Sequence, residues 1–325
     1  MRSVEGDLPT RDFYRNFAAH EAGDSPVFTA WAAGVAEDDE VLALLTELPE
    51  PKRQPNLVFA AARAHGAEAS RPDYAPLRKV LTTRWPAVRS TIESRSTQTN
   101  EAARCATLLP ALSRVEGPVA LLEVGAAAGL CLLPDRYSYR FTGDAELTLD
   151  PVDGPSSVVL ECELRGLPAP ERLPEVVWRG GLDLNPLDVR DREATDWLET
   201  LVWPEHEERR ERLRAAVGVA RSEEIHLVRG DLLAGLPALV AQARRAAPGA
   251  TVVVQHSAVL AYVPPRVRAE FADLVRAEAD LWLANEGASI LPGMPRSPRA
   301  SSFVLAQDGT PAYFTHHHGR WAQAL

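Results

Sequence analysis

The sequence predicts an α/β protein: a mostly parallel sheet covered on both faces by helices, closed by a C-terminal antiparallel hairpin and preceded by an α-helical region. Three observations predict it. Apolar strand-length runs such as VALLEV, TVVVQH and LWLAN alternate with helix-length amphipathic stretches. Two β-prone runs, SSFVLAQ and TPAYFTHHH, flank Asp308-Gly309, a two-residue hairpin signal. Ahead of both, VLALLTEL and NLVFAAARAH space their apolar residues for one buried helical face, with proline and Gly-containing turns between them. The expected division is a helical region over 1–96 and an α/β domain over 97–325 that carries a β-hairpin insertion near 136–165.

In chain order, Thr99 or Asn100 is expected to cap a helix running to about Leu109, which leads into the buried strand VALLEV. That strand ends in an acid, Glu123, and turns through the small residues Gly125 to Gly129; the helix that follows is expected to be short, because Pro134 interrupts it. RYSYRF alternates with period two, and a hairpin with SSVVLECEL is the expected pairing. VVWRGGLD predicts a strand ending at Asp183. DREATDWLETLV and PEHEERRERLRAAVGVA predict two helices, and EIHLVRGD a strand ending at Asp231. LPALVAQARRA, TVVVQHS, PRVRAEFADLVRAEA and LWLANEG continue as helix, strand, helix, strand.

Composition narrows the function. The 325 residues suit one α/β core with an added helical element, and 46% hydrophobic with 25% charged residues can bury a core without metals or disulfides. A net charge of -10 repels a phosphate backbone, so a nucleic acid partner is not expected. Arginine supplies all the basic residues except Lys52 and Lys79, which reads as coding bias rather than mechanism. Cys105, Cys131 and Cys162 form no CxxC pair and read as reduced residues. The N-terminus MRSVEGDL has no apolar leader core, and no run reaches the roughly 18 apolar residues of a membrane helix. A soluble cytoplasmic protein without a membrane partner is the expectation.

The stretch LLEVGAAAGL, residues 121–130, carries the most chemistry. Small residues let a backbone approach a ligand, and a helix start offers free N–H groups to an anion. A dinucleotide fingerprint needs glycines where Ala127 and Leu130 stand, so nicotinamide and flavin readings weaken. A tight turn with no ligand is the plain alternative. The pattern of an acid, one residue, then Gly-x-Ala-x-Gly resembles motif I of the class I S-adenosylmethionine-dependent methyltransferases, with Ala127 in place of the middle glycine.

That resemblance implies a Rossmann-like, class I methyltransferase-type sheet and S-adenosyl-L-methionine as cofactor. Glu123, Gly125, Ala127 and Gly129 would lie on its methionine side, Asp183 on the ribose and Asp231 on the adenine. Just upstream stand Gln98, Asn100, Glu101 and Arg104. Asn100 and Arg104 share a helix face, and Arg104 suits the cofactor carboxylate. Ordinary capping and a surface ion pair explain them equally well. His256 and Ser257 end the presumed fourth strand, with His256 the candidate base and Tyr262 a substrate-side wall or hydrogen bonder; the alternative for His256 is to hold the strand end in place. Asp183 lies much farther from Gly125 than the usual ribose acid, about 20 residues on. Were RYSYRF itself the second strand, Asp144 would replace it. The function implied is methyl transfer to an O, N or S nucleophile of a small molecule. The alternatives are nucleoside or partner binding without catalysis, and other chemistry on an adenosyl or nucleotide ligand.

The chain as a whole also resembles a bacterial family, the domain of unknown function 2332 family. The stretches that carry this likeness are RQPNLVFAA, QTNEAARCATLLPAL, LLEVGAAAGL, DRYSYR, ECELRG, GLDLNPLDV, LVWPEH, HSAVLAYVP, NEG and HHGRW. It implies a methyltransferase-like fold and brings no reaction with it.

Other polar residues have plain readings. Glu205 and His206 follow Trp203-Pro204, where proline opens a helix and an acid suits its dipole. Asn285 and Glu286 follow an apolar strand at the edge where ligands of open sheets collect, or simply form a turn. Of His316, His317 and His318, alternation on a strand leaves only His316 and His318 on one side, too few for a metal, and none is expected. The sequence has no Gly-x-Ser-x-Gly elbow, and adjacent His256 and Ser257 diverge on a strand, which disfavours a hydrolase.

Overall fold

The computed structural model describes residues 9–98, 100–144, 146–299 and 301–325. Thr99 and the leader reading of residues 1–8 lie outside them. Two compact units make up the chain, Met1–Thr99 with Glu193–Glu211, and Asn100–Arg192 with Arg212–Leu325.

The first unit holds helices α1 (Thr10–Asn16), α2 (Pro26–Ala36), α3 (Asp39–Thr46), α4 (Pro55–Ala64), α5 (Ala75–Thr83) and α6 (Trp85–Ser94). Ser25 and Asp38 accept backbone N–H groups at the starts of α2 and α3, and prolines open α2 and α4, where no donor is lost. The apolar faces meet around Tyr14, Phe17, Phe28, Trp31 and Phe59. Phe28 and Phe59 pack edge to face at 5.0 Å. Glu205 corrects its expected role. The helix beyond it begins only at Glu207, and its carboxylate instead accepts from Ser25 Oγ at 2.6 Å and Val27 N at 2.9 Å, so it favours the N-terminus of α2.

The second unit opens with α7 (Arg104–Leu112) and continues through β1 (Pro118–Val124), β2 (Ser138–Gly143), β3 (Leu147–Leu149), β4 (Val159–Arg165) and β5 (Glu175–Asp183). After α8 (Arg192–Leu201), nearly all of it in the first unit, come α9 (Glu207–Ala220), β6 (His226–Arg229), α10 (Leu232–Ala246) and β7 (Thr251–Ser257). Then follow α11 (Pro265–Glu278), β8 (Leu281–Glu286), β9 (Ser302–Gln307), β10 (Thr310–His316) and β11 (Trp321–Ala324). All strands join one sheet in the order β3-β2-β4-β11-β10-β9-β8-β7-β1-β5-β6. The block β8-β7-β1-β5-β6 is parallel, and β8, β9, β10 and β11 pair antiparallel in turn. After β1 the chain lays β2, β3 and β4 toward the far edge, returns to add β5 and β6 beside β1, then crosses back to add β7 and β8 on its other side, so the order of strand addition switches between β1 and β7.

Alternation along the strands gives the sheet two different faces. Ala120, Leu122 and Val124 of β1 join Val252 and Val254 of β7 under Leu236, Leu239 and Val240 of α10 and Phe271 and Val275 of α11. Glu123 pairs in register with Gln255, and Ser257 with Asn285, so these residues point to the opposite face. On that face, Tyr313 of β10 donates to the α7 carbonyl of Thr107 at 2.8 Å. Every residue of α7 is buried, as in a helix enclosed on all sides.

Four expectations change. The helix expected from Thr99 or Asn100 starts at Arg104, with no side-chain cap. RYSYRF and SSVVLECEL do not form a hairpin: β4 pairs parallel with β2, and the hairpin partner of β2 is the short β3. Ser138 explains it, because its hydroxyl donates to Asp150 at 2.5 Å and accepts from Ser156 N at 2.9 Å, drawing the returning chain back to the start of β2. The strand expected to reach Asp231 stops at Arg229, and Asp231 caps α10 by accepting from Leu233 N at 2.8 Å. The histidine run does not alternate on a strand: β10 ends at His316, and the next two rings fold back, with His317 and His318 centroids 3.9 Å apart. The Asp308-Gly309 hairpin forms as expected, both residues having positive φ, 51° and 85°. Among the described residues no helix is long and apolar enough to cross a membrane.

Candidate functional site

The carboxyl ends of β1, β5 and β7 meet beside the switch in strand order, the place where ligands of open α/β sheets bind. From Glu123 the chain enters the small-residue loop, with Gly125 at φ 74°, Ala127 at 48° and Gly129 at 73°. A side chain on Gly125 would come within 2.3 Å of Val259 Cγ2, so only glycine fits. Beyond Gly129 there is one 3-10 turn, Leu130–Leu132, rather than a helix with a free N-terminus.

All five loop amides are taken by the protein itself. Gly125 N and Ala126 N donate to Leu182 O at 2.7 and 3.3 Å, and Gly129 N to Ala126 O at 2.7 Å. Ala127 N donates to Asp183 Oδ2 at 2.8 Å, and Ala128 N to Asn100 Oδ1 at 2.9 Å. The other oxygen of Asp183 accepts from Asn185 N at 2.7 Å, which leaves each carboxylate oxygen with one spare lone pair. Asn100 and Asp183 therefore brace the loop, and an incoming anion must find its donors on side chains.

Those side chains lie beneath the loop. Among the described residues, Glu123 Oε2, Gln255 Oε1 and Asn100 Nδ2 are buried and have no hydrogen-bond partner. Buried polar atoms are normally satisfied, so three orphans on adjoining elements point to a missing ligand. Burial, with the sulfur of Cys131 next in weight, pushes the Glu123 carboxyl well above the ordinary range despite the Arg104 guanidinium. Arg104 is 6% exposed and donates only to carbonyls, His317 O at 3.0 Å and Ser257 O at 3.1 Å. Among the described residues it makes no carboxylate salt bridge, and it stands beside an acid that favours its neutral form. Gln255 Nε2 donates to Cys131 O at 2.8 Å, which aims the unpartnered carbonyl oxygen.

His256 belongs to the other face. It is 1% exposed, packs against Phe271 and Trp282, and bonds Glu286 Oε1 through Nδ1 at 2.8 Å. The same oxygen accepts from Val259 N at 2.8 Å and Leu260 N at 3.0 Å. Glu286 thus ties the end of β8 to the 258–260 turn that lies on Gly125, and the geometry favours His256 as a holder of that turn. Ser257 accepts from Asn285 Nδ2 at 3.0 Å, and Thr315 donates to Asn285 Oδ1 at 2.6 Å. Tyr262 is 64% exposed and Leu184, next to Asp183, 72%. Asp144 accepts from Gly166 N at the end of β2, with six strands between β2 and β1.

The structure therefore brings Asn100, Arg104, Glu123, the loop and Asp183 together, and sets Asp144 and His256 apart. The sequence reading missed Gln255, whose signal was one amide in an otherwise apolar strand, and Cys131, whose carbonyl orients it. Fold and site define the class: an α/β sheet protein with a cluster of buried polar groups at the carboxyl edge of its central strands. Residues 11–323 match the family described as uncharacterized protein conserved in bacteria (DUF2332), and the chain belongs to that family. No curated protein matches it.

Proposed function

We propose that the chain is an S-adenosylmethionine-dependent methyltransferase acting on an O, N or S nucleophile of a small molecule. The observation that carries the reading is the set of buried orphan atoms at Glu123, Gln255 and Asn100 beside Arg104. With Glu123 giving up its proton as an ammonium group arrives, two acceptors and one donor next to a cation fit an α-amino acid group. The amine would meet Glu123 and Gln255, and the carboxylate Asn100 and Arg104. The strand order β6-β5-β1-β7-β8 supports a Rossmann-like arrangement. Asp183 would hold the ribose through its spare lone pairs, and Asp231 the adenine through the oxygen not used as a cap.

When bound, the cofactor supplies an electrophilic methyl carbon on its sulfonium. The chain's part is to hold that carbon against an acceptor and exclude water, with Leu184 and Tyr262 as apolar walls. In this proposal His256 and Glu286 position the 258–260 turn. A second reading, binding without transfer, is favoured by the burial of the imidazole first read as a base on the opposite face. A thermal-shift comparison tests the binding step: S-adenosylmethionine and S-adenosylhomocysteine should raise the melting temperature and NAD should not. Equal shifts with NAD, or none with either adenosyl ligand, would remove the reading.

A further inference from the structure

The thiols of Cys105 and Cys131 meet under the loop without any part in the proposed reaction. Cys105 Sγ lies 3.7 Å from Cys131 O, and Cys131 Sγ lies 3.4 Å from Glu101 O, one turn back along the segment that leads into α7. The Cys105 sulfur thus sits on the backbone of Cys131, and the Cys131 sulfur on the backbone one turn before Cys105, so the two thiols face the same small region of the core. All three cysteines are free. We propose that Cys105 and Cys131 form a redox-modification site, in which a hydroperoxide converts the two thiols into an intramolecular disulfide.

The two sulfurs have different tasks. Both residues are buried, Cys131 slightly less so than Cys105, and Cys131 is taken as the sulfur that the oxidant meets first. The Cys105 hydrogen bond and the Arg104 charge lower the Cys131 thiol, while burial raises Cys105 well above its ordinary value. The Cys131 thiolate attacks one peroxide oxygen. An S–O bond forms, the O–O bond breaks, and the leaving hydroxide takes a proton to become water. The Cys105 sulfur then attacks the Cys131 sulfur. The S–S bond forms, the S–O bond breaks, and the second hydroxide leaves with the Cys105 proton as water. Two thiols are oxidised by two electrons while one hydroperoxide is reduced. Cys162 is a built-in control: it lies on β4 with its thiol pushed up to about 12 by burial.

The bond would join the first turn of α7, next to Arg104, to the turn that follows Gly129 and anchors Gln255. Oxidation is therefore expected to stiffen the loop. The test treats the intact protein with hydrogen peroxide, alkylates the remaining thiols after unfolding, and digests with trypsin. The expected product is a cross-link between peptides 105–114 and 115–136, with the loss of two hydrogens and with Cys162 fully alkylated. Hydrogen exchange of residues 125–132 should slow at least several-fold in the oxidised protein and recover on reduction. In Cys105→Ser, Cys131 should instead collect oxygen adducts. Full alkylation of both cysteines after peroxide, a link to Cys162 or to a second chain, or adducts on Cys131 in the unsubstituted protein without a cross-link would each overturn the proposal.

Discussion

At Glu123 the sheet buries a carboxyl among Cys131, Arg104 and Asp183, and desolvation raises its pKa above its ordinary value of 4.5. The folded chain therefore binds this proton more tightly than the unfolded chain does. The resulting stabilisation is complete below about pH 4.5 and is lost as pH rises through the folded-state pKa. Glu123→Gln, which keeps the shape and removes the titration, should lose less stability between about pH 5 and pH 8 than the parent. Urea unfolding at both values checks this, and parallel losses in the two proteins would contradict it. Ala127, at φ 48°, stands in a left-handed conformation that costs a non-glycine residue about 1–3 kcal/mol. Ala127→Gly should thus be neutral or stabilise by up to ~1 kcal/mol, the gain being reduced by the added freedom of the unfolded chain. A loss above ~1 kcal/mol in denaturant unfolding would mean that the Ala127 methyl packs rather than strains. The positions of Glu123 and Asp183 at strand ends were legible because each closes an apolar run just before a turn. The cap read for Asn100 is instead a bond to the distant loop, because a local cap competes in any sequence reading with such a bond.

Among the elements, the end of β8 controls the turn over Gly125 through one carboxylate oxygen shared by His256, Val259 and Leu260. Glu286→Ala leaves the imidazole and two amides without that acceptor, and should destabilise the protein by about 3–5 kcal/mol. It should also loosen the turn. Denaturant unfolding together with exchange at Val259 and Leu260 checks both, and a change below ~1 kcal/mol would place the clamp elsewhere. The parallel strands and the final hairpin were legible because their signals are local: apolar runs, flanking helices, and Asp308-Gly309. The pairing of β2 was not. Its partners are fixed by Ser138 contacts twelve and eighteen residues away, which neither alternation nor turn propensity encodes. The two faces of β7 were equally hidden, because His256 and Gln255 differ by one position and only the sheet decides which of them faces α11.

For the molecule as a whole, strand order separates the two acids that were candidates for the proposed ribose contact. Asp183 ends β5, the neighbour of β1, whereas Asp144 ends a strand near the far edge. Family membership, which spans residues 11–323, supplies no reaction, so the account rests on the ligand that the orphan atoms, Arg104 and Asp183 select together. Calorimetric titration of S-adenosylhomocysteine into the parent protein, Asp183→Ala and Asp144→Ala tests that selection most directly. The account predicts saturable binding in the parent, a loss of roughly 1.5–3 kcal/mol in Asp183→Ala, about ten- to a hundred-fold in affinity, and no change in Asp144→Ala. No heat at millimolar ligand in the folded parent, or an unchanged affinity in Asp183→Ala with a loss in Asp144→Ala, would contradict it.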